Sequence, residues 1–226
     1  IQQIQYNITG RIDTRIANTF IFESTQLLFN AILLFEQGFF DCAYYSLRQA
    51  IELSTTMVYL SDMPRETQEK KLKDWNTGNN FPMHNSMLKE LKEKGGVFSN
   101  MRQKMPQFFS DLYLTYKELN KSVHKQGIRR FYQYNFSHTP EETNRLNDFL
   151  FYLKKAISIV AIMRLSIDPF PILLADDEIY HRIFETLSDP YSETFIDKYI
   201  GEKTLAEYKQ TQLFQDTYRS IMKLEK

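Results

Sequence analysis

Cysteine is almost missing from this chain. Cys42 is the single one in 226 residues, so no intrachain disulfide can form and a reducing compartment is expected. Its neighbours, Phe39-Phe40-Asp41-Cys42-Ala43-Tyr44, are mostly apolar, so a buried structural thiol is expected rather than a nucleophile. Glycine and proline are scarce too, at seven each. That is far below average use, and it excludes collagen-like and low-complexity chains and argues against an all-β fold, which needs many turn residues. Neither sign of charge is in excess: 28 Lys and Arg stand against 28 Asp and Glu, so the total gives no reason to expect nonspecific nucleic-acid binding. Long apolar runs are also missing. The longest, Ala156 to Met163, falls well short of the ~18 residues of a membrane span, so no membrane partner is expected. No signal-peptide pattern opens the chain, and a cytoplasmic location is the default expectation. The first residue is Ile rather than Met, which suggests a fragment of a longer chain.

Sequence motifs of common cofactor chemistry are missing as well. There is no G-x-G-x-x-G and no Walker A, and Gly201-Glu202-Lys203-Thr204 lacks the phosphate loop that should precede it. There is no H-E-x-x-H and no nucleophile elbow. Glu178-x-x-His181 has the spacing used in di-iron bundles, but those need a second such motif and two further glutamates. No metal and no cofactor is therefore expected.

What the sequence does contain is helical periodicity from end to end, with eighteen Phe and fourteen Tyr to fill a core. A helix from about Asp13 to Gln37 would bury Ile16, Phe20, Leu27, Leu28, Ala31, Leu34 and Phe35. Gly38 breaks it. A second, from about Phe39 to Leu60, turns Ala43, Tyr44, Leu47, Ile51, Ser54 and Val58 inward. The short link predicts an antiparallel hairpin. A charged helix from Pro64 to Trp75, a loop at 76–80 and a short helix from Ser86 to Lys94 follow. Pro106 suits the first turn of a helix to Val123, with Phe108, Phe109, Leu112, Tyr116, Leu119 and Val123 as its core stripe. Thr139-Pro140-Glu141-Glu142 is a capping box opening a helix to about Ile167, whose second half is apolar nearly all round and so predicts burial on most faces. Short helices should follow at 176–187, 190–200 and 204–223. The fold class expected is all-α: a helical bundle over 1–167 on a long antiparallel hairpin, with a short-helix extension over 168–226 packed on it.

Charge is unevenly distributed. Lys117 to Arg130 holds five cations and one acid, whereas Asp168 to Glu193 holds seven acids and one Arg; either the two segments face each other or the molecule has a basic face and an acidic face. Lys117, Lys121 and His124, at spacings of four and three, share one helix face with Asn120 beside them. Lys125, Arg129 and Arg130 continue the cationic run into Phe131-Tyr132-Gln133-Tyr134-Asn135-Phe136-Ser137-His138. Cations that hold phosphates beside aromatic faces that stack bases are the chemistry of single-stranded nucleic-acid binding; solvated cations and aromatics that pack a loop are the alternative. Arg48 and Glu52 lie one turn apart beside the apolar stripe, as an intrahelical pair or with Arg48 turned into a cleft to serve an anionic ligand or a polar network.

The segment from Phe29 to Leu60, with FEQGFFDCAYYSLRQAIELSTTMVYL, resembles the leading hairpin of HEPN-type domains (higher eukaryote and prokaryote nucleotide-binding), and ELNKSVHKQG resembles the place where a long helix of such domains ends at a histidine. The resemblance covers about residues 13–167. It implies an α-helical bundle, commonly a homodimer, from bacterial toxin–antitoxin, stress or phage-defence systems, whose active members are metal-independent ribonucleases with an Arg four to six residues before a His. His124 matches that histidine, but no Arg stands in the window before it, and Arg130 lies just too far before His138. Lys does not replace Arg in a bidentate phosphate contact.

The reading that follows is a noncatalytic domain that binds RNA, a nucleotide or a partner protein, through Arg48, Lys117, Asn120, Lys125, Arg129 and Arg130. One alternative is a metal-independent endoribonuclease with His124 as general acid/base and Lys121 or Arg48 stabilising the phosphorane. Another is a purely structural oligomerisation module.

Overall fold

The chain turns back on itself at Gly38. Helix α1 (Arg15–Glu36) ends there and α2 (Phe40–Ser61) begins two residues later. Gly38 takes the left-handed conformation at φ 82°. The Phe39 N–H donates to Leu34 O at 2.8 Å and the Gly38 N–H to Phe35 O at 3.0 Å, the paired bonds of a Schellman stop. The hairpin is then closed by burial of Phe20, Ile21, Leu28 and Ala31 against Ala43, Tyr44, Leu47, Ala50 and Ile51.

The structure is a computed structural model that describes residues 1, 2, 4, 15–126, 140–173 and 195–223. After the hairpin come α3 (Arg65–Thr77), α4 (His84–Glu93), α5 (Val97–Lys104), α6 (Pro106–Val123), α7 (Pro140–Leu165), the short α8 (Phe170–Leu173), a π-helical turn (Ile196–Ile200), α9 (Glu202–Lys209) and α10 (Gln212–Lys223). Every regular element among the described residues is helical, so the protein is an all-α bundle. No helix among them is long and apolar enough to cross a membrane.

Helix α2 lies at the centre, packed on by α1, α4, α6 and α7. The second half of α7 is buried on nearly every side, as its all-round apolar sequence predicts: Ala156, Ile157, Ile159 and the run from Val160 to Leu165 are inaccessible. That run includes Arg164, whose guanidinium lies 3.9 Å from the carboxylate of the equally buried Asp168. The C-terminal helices meet the bundle at the same place. Tyr208 of α9 is fully buried and its hydroxyl donates to Leu165 O at 2.8 Å.

The structure departs from the periodicity in four places. Cys42 is exposed: it stands in the first turn of α2, off the face that buries the adjacent Ala43 and Tyr44. Ile16, near the start of α1, is 45% exposed; of the expected stripe on that helix Phe20, Leu28 and Ala31 are buried, and Leu27, Leu34 and Phe35 are half-buried. The segment expected as one helix over 204–223 is two. Gly201, with Lys203 and Thr204 already in the first turn, opens α9, and α10 starts afresh where the Gln212 N–H donates to Asn100 of α5 at 2.8 Å. The expected helix at 176–187 and the start of that at 190–200 lie outside the described residues, as does most of the acidic segment.

The fourth departure is α5, which the sequence hides because no residue beside it can cap it. Its N-cap position is Gly96, which has no side chain. Asp62, just past the end of α2, supplies the cap from 35 residues away: its carboxylate accepts from the Val97 and Phe98 N–H groups, each at 3.1 Å. Gly96 sits at φ 119°, and a Cβ there would come 2.8 Å from Asp62 Oδ1, so the close approach of the two segments requires glycine. Burial raises the Asp62 pKa, and the two N–H bonds work against that rise. Asp62→Ala should cost about 1–2 kcal/mol, the worth of a lost helix cap, while Asp62→Asn keeps most of it; urea unfolding of both variants measures the difference.

Candidate functional site

Helix α6 sets the site because its two faces differ. Phe108, Phe109, Leu112, Tyr116 and Leu119 are buried against the bundle as expected, with Val123 only half-buried. The opposite stripe, Ser110, Tyr113, Lys117, Lys121 and His124 at intervals of three and four, faces out. Pro106 occupies the first turn.

Lys117 is exposed, and among the described residues it makes no ion pair. Lys121 is half-buried and bonds Glu118 Oε1 at 2.5 Å, so part of its charge is spent within the helix. His124 is exposed at the C-cap, its backbone N–H on Asn120 O at 2.9 Å. Asn120 is half-buried, and its side-chain oxygen accepts no hydrogen bond among the described residues. Lys125 adopts the left-handed conformation at φ 53°, and the Gln126 N–H closes the helix on Lys121 O at 2.8 Å. A non-glycine residue there costs about 1–2 kcal/mol. The ion pair of Lys125 Nζ with Asp41, in the first turn of α2, helps to hold it. Lys125 thus serves as a tie between the end of α6 and the hairpin corner. Arg129, Arg130, the following aromatics and His138 lie outside the described residues.

Arg48 is not part of the same outward row. Its Nη2 donates to Glu52 Oε1 at 2.6 Å and to the Tyr116 hydroxyl at 3.3 Å, and that hydroxyl donates to the same Glu52 oxygen at 2.5 Å. Two of the readings open to the sequence are formed together: the intrahelical pair with Glu52 and, through Tyr116, a structural polar network. Burial disfavours the charge on Arg48, but Tyr116 and Glu52 outweigh it and hold its pKa up. Burial, and then Glu52, raise that of Tyr116, so its proton stays in place for the bond.

His84, at the start of α4, completes this cluster and is absent from any pattern in the sequence. Its ring stacks on Tyr116 with centroids 3.8 Å apart, and it is only 4% exposed. Neither ring nitrogen has a hydrogen-bond partner among the described residues. Burial first, and then the nearby positive charge of Arg48, push its pKa down to about 3. His84 is therefore a neutral, flat filler between two helices. It cannot act as a general acid near neutral pH. Among the described residues no group of three His, Cys, Asp or Glu side chains is placed to hold a metal ion.

Because the folded pKa lies below the ordinary value of about 6.5, the unfolded chain takes up the proton first as pH falls. The stability linked to neutral His84 is complete above about pH 6.5 and drains away down to about pH 3. From this group alone the fold should lose about 2 kcal/mol between pH 7.5 and 5.0. His84→Phe keeps the stacking, leaves no nitrogen unpaired and should flatten that dependence without lowering stability at pH 7.5. Urea unfolding at the two pH values measures both effects. Comparison of the chain with family models, with curated proteins and with solved structures finds no match in any of the three.

Proposed function

We propose that the protein is a noncatalytic, HEPN-like helical domain that binds RNA through the outer face of α6. The observation that carries this reading is the stripe on which Lys117 and His124 stand exposed, with Lys121 between them and Tyr113 one turn before. Lysines one helical turn apart can contact the phosphates of a single strand, and an exposed tyrosine offers a face on which a base can stack.

The noncatalytic part rests on how the other candidates are used. Arg48 is committed to Glu52 and Tyr116, His84 is buried and neutral, and Lys125 is paired with Asp41. His124 at the helix end is left without an arginine from this set to share a phosphate with.

Fluorescence anisotropy of labelled single-stranded RNA with the protein in EDTA tests the reading. Binding is expected to weaken with salt at a slope of about −0.7 in log K per phosphate contacted. Lys117→Glu should weaken binding about tenfold at low salt and make that slope shallower. Binding that ignores both salt and Lys117→Glu would sink the proposal. Cleavage that persists in EDTA and disappears in His124→Ala would replace it with the ribonuclease reading.

A further inference from the structure

A second feature lies on the same side of the bundle and shares only Ser110 and Tyr113 with the outward stripe of α6. Helices α4 and α6 both pack on α2, and α5 crosses between their ends, leaving an open groove of about 540 Å³. Each long wall contributes one helical stripe: Asn85, Leu88, Lys89 and Lys92 from α4, and Pro106, Phe109, Ser110 and Tyr113 from α6. Phe98, Phe109 and Leu112 are buried and make the floor. Lys89, Lys92 and Arg102 stand exposed on the rim, and no carboxylate lines the groove.

None of these three cations makes an ion pair among the described residues. Glu90, the acid next to Lys89 in sequence, is turned away to Tyr59 at 2.7 Å and Lys94 at 3.1 Å. Another cavity among the described residues, about 400 Å³ between α6, α7, the π-helical turn and α9, shows the contrast. Its four lysines face Asp111, Asp197 and Glu207, and Lys155 is bonded to Asp111 at 2.6 Å. Three unpaired cations around an acid-free hollow repel one another and lower the energy of any anion placed among them.

We propose that this groove is a binding site for a small phosphoester with a planar aromatic body, its phosphate among Lys89, Lys92 and Arg102 and its ring against Tyr113. Tyr113 is 53% exposed at the groove wall, where its face can take a ring. Asn85 and Ser110 add hydrogen-bonding groups at the edge, which suit a polar ring or a sugar. The volume falls within the roughly 300–1,000 Å³ of small-molecule sites. A protein partner fits less well: eleven residues line the groove, against the roughly 20–30 a side of a stable protein interface. The proposal goes beyond RNA binding and does not depend on it: Ser110 and Tyr113 are common to both surfaces, but Lys117, Lys121 and His124 are not in the groove lining.

Isothermal titration calorimetry of the intact chain with ATP, and separately with flavin mononucleotide, tests it, the two probes sharing a phosphate and differing in the ring. At least one should bind with one-to-one stoichiometry, and which one binds identifies the ring. The double variant Lys89→Glu/Arg102→Glu should weaken that binding at least about tenfold through reversal of two rim charges, and Tyr113→Ala about fivefold through loss of the stacking face. Lys117→Glu should leave it within about twofold, because its charge lies outside the groove and is screened by solvent. Adenosine, without a phosphate, should not bind. Three results overturn the proposal: no binding of either probe at millimolar concentration, binding unchanged in the double variant, or inorganic triphosphate binding as tightly as ATP. All the substituted side chains are exposed, so the variants should fold, and circular dichroism checks that each does.

Discussion

Helix α2 is enclosed by α1, α4, α6 and α7, and that enclosure governs which residues it can carry. A helix packed on from several sides cannot present a conventional polar face. Its small residues, Ala43, Ser46, Ala50 and Ser54, let neighbouring backbones come close. Its buried hydroxyls are satisfied by the helix itself: Ser46 bonds Cys42 O, Ser54 and Thr55 bond Ile51 O, and Thr56 bonds Glu52 O. Arg48 and Glu52 are the exceptions. They can be accommodated because they answer each other and because Tyr116 of α6 closes the triangle. The position of α6, and with it the direction of the outward stripe, follows from that triangle and the His84 ring stacked beside it.

Among the described residues, the cations of this neutral chain do different work. Lys125 with Asp41 and Lys155 with Asp111 tie separate helices together, and Arg48 with Glu52 fills a polar gap in the core. Burial alone would raise the pKa of Asp111, but the bonds from Lys155 and Gln107 hold it below the usual carboxylate range. Lys89, Lys92, Arg102 and Lys117 do none of this; they sit exposed around α4, α5 and α6. Zero net charge therefore hides a local excess of positive potential, and a count over the whole chain could not reveal it.

The helices were legible in the sequence wherever a local signal marked them. The 3.6-residue period, Gly38 and Pro106 placed α1, α2 and α6, and the all-round apolar run in α7 announced its burial. What escaped was held by distant partners. The cap of α5 is an aspartate 35 residues upstream, and the start of α10 is fixed by Asn100 from another helix. His84 looked like any isolated histidine, because its environment is assembled from α2 and α6. The groove has a faint local trace in the spacing of Asn85, Leu88, Lys89 and Lys92. That trace acquires meaning only once α6 sets a second stripe across from it. Cys42 shows the limit of composition: apolar neighbours suggested burial, and its angular position on the helix decided otherwise.

That exposed thiol is also a practical opening. It is the only sulfhydryl in the chain, and it sits one residue from Asp41, whose ion pair with Lys125 anchors the far end of α6. A maleimide dye would therefore attach at a single defined point without any engineered cysteine. The fluorophore would report from the hairpin corner on the electrostatic state of the neighbouring helix terminus, giving an optical view of the same face in the unmodified sequence.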